Sequence, residues 1–471
     1  MQNLSDLNQV QYLAKAKASK YLDAYIDEFI EAFIPSIDKA EIGVLIGNSF
    51  KGTVGLKIAN RLKKLSFTVS TYYVFNEETD DASFIKVPNS AWLSIENIKG
   101  IKETVLIDAI NFSDNTLNND YATNIYRAIN SLNAKIYAID YPSGFPTEGA
   151  IKSELEAIKC ITSFTCFAPK INFFFPESAF FINDFQVLLP NHKLSLQNNW
   201  QLSSENLISR ILKPRSKFSH KGSYGHTLII GGSTYTMGAA LLSCSGSLYS
   251  GAGLTTACIP ESGLTALNTA LPEVMYLSRS DLGKDLSKYS AIAFGCGIGV
   301  SDEVVSWLNF AIEQPLIIDA DGINVLSAHK SFLNKLKPGS IITPHIKEFD
   351  RLFGEHNNWW ERIETATKKA KELQVFIVLK NQYSFIITPS DVVYINQSGN
   401  PAMSSGGMGD VLTGIITGLL AQGYSAEEAC IIGCFIHGKA ADELSKTQNN
   451  VIASAVAKEI PKVIKNLMKG N

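Results

Sequence analysis

Short apolar runs alternate with helical patterns along most of this 471-residue chain, and no other feature limits its fold as strongly. Strands that alternate with helices form a parallel sheet with helices packed on both faces. The predicted strands of the first part of the chain are 42–46, 67–74, 105–107 and 135–139. Those of the second part are 227–230, 254–258, 291–294, 315–318, 341–342, 376–379 and 385–387, and 392–396 adds an antiparallel hairpin. The sequence therefore predicts the α/β class.

Glycine usage divides the chain into two parts. Only seven of the 33 glycines lie in residues 1–205. A largely polar passage at 190–200 falls near this change, and a chain of this length exceeds one ordinary core. We expect one domain at 1–205 and another at 206–471, each a three-layer α/β/α structure.

Composition favours a small ligand over a polymer or a membrane. Charged residues make up 18% of the chain and the net charge is −3, so no basic surface for nucleic acid is expected. Residues 1–20 lack the basic start and apolar core of a secretion signal, and no apolar run reaches the roughly 18 residues of a spanning helix. We expect a cytoplasmic protein with small-molecule substrates and without nucleic-acid or membrane partners.

The seven cysteines predict no disulfide framework, because they are scattered and include no C-x-x-C pair. Cys430, Cys434 and His437 share a helical spacing that would also suit a metal site. Their small apolar neighbours favour a packed helix instead, and we assign no metal to them.

A glycine-rich loop near the C-terminus is the most informative sign of chemistry. Gly406, Gly407 and Gly409 fall within four positions, so the backbone there can approach an anionic ligand and offer it N–H groups. The apolar run that follows predicts a helix, and Asp410 lies in its first turn. A carboxylate beside a bound phosphate suits a general base for a hydroxyl group. The alternative is that Asp410 only caps the helix.

Further motifs accompany this loop in a fixed order. They are Lys221 to Gly225, Gly231-Gly232-Ser233, Met237 to Ala240, Ser250 to Leu254, Gly295 to Gly299, Ile318 to Asn324, Thr343-Pro344-His345 and Leu379-Lys380-Asn381. Each motif alone is weak. The ordered set, from about 206 to 468, resembles the ADP/ATP-dependent NAD(P)H-hydrate dehydratase family of the ribokinase-like superfamily. This resemblance implies a ribokinase-like fold, with ADP or ATP and Mg²⁺ as cofactors.

The resemblance also implies roles for individual residues. The nucleotide would be bound by Lys380, Asn381, Gln382, Tyr383, Ser384, Gly406, Gly407 and Gly409. Hydrated NADH or NADPH would be bound by Ala240, Gly297, His345 and Asp410, with Asp410 as the catalytic base. Asp319 and Asp321 would support Mg²⁺ indirectly or, in the alternative, only cap a turn and a helix. The implied reaction is the dehydration of the S form of the hydrate, driven by cleavage of ADP or ATP.

Residues 1–205 resemble the NAD(P)H-hydrate epimerase domain, which implies a Rossmann-like fold. The resemblance rests on 107–109, 139–144 and 168–170, and it implies K⁺ bound by Asp108 and Ser143 with Asp140 on the substrate. The family sequence GNNGGDG is replaced here at 49–55, and Lys51 stands where a K⁺ ligand is expected. Its ammonium group is a candidate replacement for the cation. This departure and a second one at 110–113 predict loss or strong weakening of epimerase activity.

Two other functions stay open from the sequence. A kinase for a small alcohol, such as a sugar or a vitamin precursor, would use the same loop and Asp410 without the elimination step. A non-catalytic nucleotide-binding or scaffold protein is disfavoured by the intact Lys380, His345 and Asp410. The resemblance further implies a homo-oligomer, whereas neither the preferred nucleotide nor the preferred hydrate follows from it.

Overall fold

The computed structural model of the chain describes residues 19–37, 40–74, 93–111, 119–189 and 199–469. These residues form two compact units. The first comprises the described residues before 190 together with 358–360, and the second comprises 199–357 and 361–469. Each unit contains one β-sheet.

The first unit contains a six-stranded parallel sheet. Its strands are β1 (Ile42–Ile46), β2 (Val69–Tyr73), β3 (Val105–Ala109), β4 (Lys135–Ile139), β5 (Cys160–Cys166) and β6 (Ile182–Leu188), and its helices are α1 (Ser19–Phe33), α2 (Phe50–Lys64), α3 (Ile95–Ile98) and α4 (Asn119–Asn130). The strand order is β2-β1-β3-β4-β5-β6. Every residue of β1 and β3 is buried, as expected for central strands of a parallel sheet with both faces covered.

Aromatic residues fill much of the core of this unit. Tyr25, Phe29 and Phe33 of α1 are fully buried, and the ring of Phe29 meets that of Phe164 edge-on at 4.8 Å between centroids. The helix ends at Phe33, immediately before a short 3₁₀ turn that contains Pro35. Proline cannot donate the hydrogen bond that would continue the helix, so this end was predictable.

The second unit contains a ten-stranded mixed sheet. Its strands are β7 (Trp200–Leu202), β8 (His226–Ile230), β9 (Leu254–Cys258), β10 (Met275–Leu277), β11 (Ala291–Phe294), β12 (Leu316–Ile318), β13 (Ile341–Ile342), β14 (Phe376–Leu379), β15 (Ser384–Ile387) and β16 (Val393–Asn396). The order is β10-β9-β8-β11-β12-β13-β14-β15-β16-β7. The predicted hairpin is confirmed, because β15 pairs antiparallel with both β14 and β16. Strand β7 precedes residue 206 and pairs with β16 of this second sheet.

Two helices of the second unit cross at very short range. Its helices are α5 (Glu205–Ile211), α6 (Met237–Ser250), α7 (Leu264–Ala270), α8 (Asp302–Ala311), α9 (Asp321–Ala328), α10 (Ile346–Phe353), α11 (Trp359–Leu373, of which 361–373 belong to this unit), α12 (Met408–Ala421), α13 (Ala426–Ser445) and α14 (Ala453–Lys469). A Cβ atom on Gly414 of α12 would lie 1.9 Å from the backbone oxygen of Ser243 in α6, and one on Gly246 would lie 2.3 Å from that of Val411. Glycine therefore lets the α6 and α12 backbones touch and fixes where α12 begins.

In the part of the chain that the structure describes, no helix has the length and apolar character needed to cross a bilayer.

Candidate active site

The glycine loop leads into α12 as predicted. Gly407 precedes the helix with φ at +89°, a left-handed conformation that glycine adopts most readily. The first bond to the helix runs from the N–H of Val411 to the oxygen of Gly407 at 3.1 Å. Within the described residues, the N–H groups of Met408, Gly409 and Asp410 therefore have no hydrogen-bond partner. Such an array at a helix start is suited to binding an anion.

Asp410 is not the capping residue, so the alternative interpretation from the sequence is wrong. Gly407 occupies the N-cap position without a side-chain bond, and Asp410 lies three residues further on. The carboxylate is partly exposed. Burial raises its pKa to about 6, and the negative charge of Asp319 acts in the same direction. A carboxylate with a pKa near neutrality is a more effective proton acceptor than an ordinary aspartate.

A buried ion pair lies beside the loop. Asp319 follows β12 and accepts hydrogen bonds from Lys380 Nζ at 2.6 Å and Thr413 Oγ1 at 2.7 Å. Burial alone would raise the pKa of Asp319, but Lys380 and Thr413 hold it below its usual value. For Lys380, burial would lower the pKa, but the negative charges around it, chiefly that of Asp319, outweigh burial and raise this pKa above its usual value. Both groups are therefore charged at neutral pH.

Lys380 lies against the glycine loop. A Cβ atom on Gly409 would lie 3.2 Å from Lys380 Nζ and 3.5 Å from Asp319 Oδ2. The ammonium group is thus close to the unpaired amides of α12, and together they form one electropositive region. This arrangement supports the predicted contact between Lys380 and nucleotide phosphates.

The two aspartates considered for Mg²⁺ are already engaged. Asp319 holds Lys380 and Thr413, while Asp321 accepts from the N–H of Gly299 at 2.8 Å. The described residues contain no group of three or more His, Cys, Asp and Glu side chains placed to hold a metal ion. The residues present therefore do not form a direct Mg²⁺ site.

His345 lies next to Lys380, beyond the carboxyl ends of the neighbouring strands β13 and β14. The N–H of Lys380 donates to the oxygen of Pro344 at 2.9 Å, so the two segments run side by side. The imidazole caps α10, because its Nδ1 accepts from the backbone N–H groups of Lys347 and Glu348 at 3.1 and 3.3 Å. In the neutral ring Nε2 then carries the proton. The side chain is half exposed and its Nε2 lies 3.4 Å from Glu348 Oε1, so His345 can offer Nε2–H to a ligand alongside or in place of this contact.

Gly297 lies in a tight turn, whereas Ala240 is buried beneath a neighbouring turn. Gly297 has φ at +64°, and a Cβ atom there would lie 2.7 Å from the backbone oxygen of Thr236. Thr236 Oγ1 donates to the oxygen of Gly297 at 2.6 Å, which fixes this turn. Ala240 is fully buried against the turn at Gly231 and Gly232. Its placement does not support direct contact with a ligand, and its predicted role stays a prediction.

A cleft of about 340 Å³ opens beside Lys380 and Gly409. Of the residues predicted to bind the nucleotide, Asn381, Gln382 and Ser384 line it, whereas Tyr383, Gly406 and Gly407 are not among its lining residues. Side chains without a predicted ligand role also line it, namely Asn396, Ser398, Asn400, Met403, Met408, Leu412 and His437. Asn396, Ser398 and His437 lie outside the glycine loop, and the motifs gave no sign that they lie near Lys380.

His437 is the most unusual of these lining residues. Its side chain is buried, and its Nε2 has no hydrogen-bond partner within the described residues. Burial lowers its pKa to about 4, with a further contribution from the charge of Lys380, so the ring is neutral. It lies on α13 with Cys434 and lines the cleft, and it belongs to no possible metal-binding cluster within the part of the chain that the structure describes.

In the first unit, the predicted epimerase-like residues form a closed polar cluster. Lys51 Nζ lies 3.2 Å from Asp108 Oδ2, 2.7 Å from the oxygen of Tyr141 and 3.0 Å from Ser143 Oγ. Burial lowers the pKa of Lys51, and the Asp108 carboxylate opposes that shift. The position predicted for K⁺ between Asp108 and Ser143 is thus taken by an ammonium group, and these residues do not fit the ion.

Asp140 is paired with a second buried lysine. Its Oδ1 lies 2.9 Å from Lys170 Nζ, and both side chains are almost completely buried. Oδ1 also accepts from Thr165 Oγ1 at 3.1 Å, whereas Oδ2 has no partner among the described residues. The structure does not present Asp140 at a surface where a substrate would meet it, so its predicted role stays a prediction. Of the altered segment 110–113, residues 112 and 113 lie outside the described residues.

Comparison with known proteins assigns each part of the chain to a family. The family described as NAD(P)H-hydrate dehydratase matches residues 227–464, and the family described as YjeF-related protein N-terminus matches 13–171. The bifunctional NAD(P)H-hydrate repair enzyme Nnr of Dictyoglomus turgidum is 27% identical, covering 97% of this chain and 94% of that protein. The Moorella thermoacetica protein of the same name is 31% identical, covering 73% of this chain and 69% of that protein.

A solved structure resembles the second unit. It is the ADP/ATP-dependent NAD(P)H-hydrate dehydratase of Bacillus subtilis, co-crystallised with ATP and Mg²⁺. The two chains share 29% identity with a TM-score of 0.52, over 57% of this chain and 98% of that one. The resemblance inferred from the ordered motifs is confirmed.

Proposed function

The chain belongs to the NAD(P)H-hydrate dehydratase family, and we propose that it repairs hydrated NADH or NADPH by a dehydration that consumes ADP or ATP. The observation that carries the proposal is the position of Asp410. It is a partly exposed carboxylate with a pKa raised to about 6, in the first turn of a helix whose leading N–H groups have no partner among the described residues. A base and an anion site thus adjoin one another.

Asp410 would take the proton of the hydroxyl group on the hydrated nicotinamide ring. As that O–H bond breaks, the oxygen attacks the terminal phosphoryl group of the nucleotide and forms a phosphate ester, while the bond from that group to the leaving AMP (from ADP) or ADP (from ATP) breaks. The N–H groups at the start of α12 and the ammonium of Lys380 would stabilise the negative charge that develops on the transferred group. The C–O bond to the phosphate then breaks and the adjacent ring carbon loses a proton, so inorganic phosphate leaves and the ring double bond of the dihydronicotinamide is restored.

The nucleotide and the hydrate would occupy different sides of the loop. The cleft lined by Lys380, Asn381 and Gln382 would hold ADP or ATP. Gly297 and His345 would contact the hydrate. Mg²⁺ would arrive with the phosphates, since Asp319 and Asp321 are engaged with protein partners and would support the ion only through water.

We further propose that the first unit no longer epimerises the hydrate. Lys51 fills the predicted cation position, and Asp140 is enclosed with Lys170. The domain limits at 1–205 and 206–471, the cytoplasmic location and the homo-oligomer also stay predictions.

A product analysis tests the dehydratase proposal. The purified protein is incubated with the S hydrate of NADH and with ADP or ATP, and both NADH and inorganic phosphate are quantified. We expect one phosphate released for each NADH restored, and no restoration without nucleotide. A stable phosphorylated product without NADH would contradict the proposal and identify a kinase.

A further inference from the structure

Lys51 is enclosed by oxygen atoms at the start of α2. Its side chain is almost fully buried, and Asp108 and Ser143 are fully buried. The three atoms that face Nζ are a carboxylate oxygen, a backbone carbonyl oxygen and a hydroxyl oxygen. All three are hard oxygen atoms, which also act as ligands of small cations.

The hydrogen bonds of the cluster identify Lys51 as an ammonium. Ser143 Oγ donates its proton to Asp108 Oδ1 at 2.6 Å, so its oxygen is an acceptor toward Lys51. The carbonyl of Tyr141 and the carboxylate of Asp108 are acceptors as well. Three acceptors require three N–H donors, and only the charged form of lysine has three.

The local backbone holds Lys51 in this position. Ser49 is the N-cap of α2, and its Oγ accepts from the N–H of Gly52 at 3.1 Å. A Cβ atom on Gly52 would lie 1.9 Å from the oxygen of Gly47, so only glycine allows α2 to start this close to β1. Lys51 therefore enters the cluster from a fixed helix start.

From this geometry we infer that Lys51 is a built-in monovalent cation, which makes the first unit independent of K⁺. Asp108 carries one negative charge and receives one positive charge from a side chain of the same chain. It also accepts from the backbone N–H groups of Ile110 and Ser143 at 3.0 and 2.7 Å. The cation thus organises the segments that follow β3 and β4.

Removing the charge of Lys51, while leaving room for a cation, should make the first unit depend on K⁺. Replacing Lys51 by a shorter polar residue leaves Asp108 buried without its counter-charge, which is strongly unfavourable. The same replacement opens a space lined by oxygen atoms, into which a free cation of equal charge can enter. Lys51→Asn should therefore create a K⁺ requirement that the natural sequence lacks.

Hydrogen–deuterium exchange of the full chain tests the K⁺ requirement at the cluster itself, because the N–H groups of Ile110 and Ser143 both donate to Asp108. Peptides that contain these residues are followed in equal concentrations of KCl, NaCl and choline chloride. For the natural chain and for Lys57→Ala, an exposed lysine on the same helix, we expect identical exchange in all three salts. For Lys51→Asn we expect at least tenfold faster exchange in choline chloride and restored protection in KCl.

A second variant distinguishes the filling of space from the supply of charge. Lys51→Met has a similar length but no charge, so it should exchange fast in every salt, without rescue by KCl. Thermal unfolding should agree: the midpoint for Lys51→Asn should be at least about 5 °C higher in KCl than in choline chloride. Protection of the natural chain by KCl over choline chloride would overturn the inference, even if no variant folds. So would equal exchange of Lys51→Asn in all three salts.

Discussion

At the scale of single residues, the chemistry depends on carboxylates whose surroundings differ. Asp319 is buried but paired with Lys380, and it stays ionised. Burial, together with the nearby charge of Asp319, raises the pKa of Asp410, which forms no ion pair within the described residues. Under the proposed mechanism, the two carboxylates would take separate roles: Asp319 would hold the ammonium group of Lys380 in place, and Asp410 would accept a proton.

The raised pKa of Asp410 predicts the pH dependence of the reaction. The base must be ionised, so kcat/KM should fall about tenfold per pH unit as the pH drops below the pKa of about 6. Initial rates of NADH recovery between pH 5 and 8 would measure this, after subtraction of the rate without protein. A profile that stays flat down to pH 5 would show that Asp410 is not the base.

His437 should contribute to nucleotide affinity. Its neutral ring faces the cleft, and its Nε2 lacks a partner among the described residues, so a bound nucleotide can supply one. His437→Ala should raise the KM for ADP or ATP about tenfold, equal to ~1.4 kcal/mol, with little change in kcat. Lys439→Ala, on the same helix but outside the cleft, should leave both constants unchanged. An unchanged KM in His437→Ala would exclude this contact.

The sequence predicted some residues of the site and missed others for a physical reason. Asp410 and Lys380 could be found because each lies in a local motif after a strand or a glycine loop. The bonds from Asp319 to Lys380 and to Thr413 join residues 61 and 94 positions apart. No local pattern encodes such pairs, since only the order of the strands brings them together.

At the scale of elements, the start of α12 is set by its contact with α6. Gly414 and Gly246 let the two backbones touch, and this contact places the glycine loop beside Asp319 and Lys380. The N–H groups of α12 are thereby held in position before any ligand binds. Such preorganisation is what makes a charge-stabilising site effective.

Gly414→Ala should destabilise the second unit. Its Cβ would lie 1.9 Å from the oxygen of Ser243, so α6 and α12 must separate. We expect a loss of about 1–3 kcal/mol in the free energy of unfolding, measured by urea denaturation. The matched control is Gly238→Ala in α6, whose Cβ would meet no atom within 4 Å. The control should change stability by no more than about 1 kcal/mol, in the stabilising direction. Equal effects of the two substitutions would contradict the tight crossing.

Secondary structure was predictable where apolar runs were long enough. Strands β8, β9 and β11 coincide with the predicted ranges to within one residue. β7 and β10 were not predicted, because three residues give no recognisable period. β5 and β6 were not predicted either, because their residues carry no regular apolar alternation that marks a strand.

At the scale of the whole molecule, the two units preserve their polar sites differently. The second unit has an open cleft, the partly exposed carboxylate of Asp410 and N–H groups at the start of α12 that have no partner among the described residues. In the first unit, the aspartates predicted for the epimerase-like site are enclosed in two buried ion pairs, Lys51–Asp108 and Lys170–Asp140. We therefore expect catalysis in the second unit alone.

A mixture of the two hydrate epimers tests this division. With ADP or ATP present, the full chain should restore only the fraction present as the S form, and the R form should decline no faster than without protein. Chiral chromatography of the remaining hydrate would follow both epimers. Adding a separate, active NAD(P)H-hydrate epimerase should release the remainder. Rapid consumption of the R form by this chain alone would show that its first unit is active.

The most direct test of the account compares the natural chain with Asp410→Asn, by the return of dihydronicotinamide absorbance from the S hydrate of NADH with nucleotide and Mg²⁺. We predict a loss of at least about 100-fold in kcat, as expected for removal of a general base. The midpoint of thermal unfolding should not fall, because the substitution removes a charge whose ionisation burial disfavours. Near-normal turnover in the variant, or turnover without nucleotide, would contradict the central claim that Asp410 activates the hydrate for phosphoryl transfer.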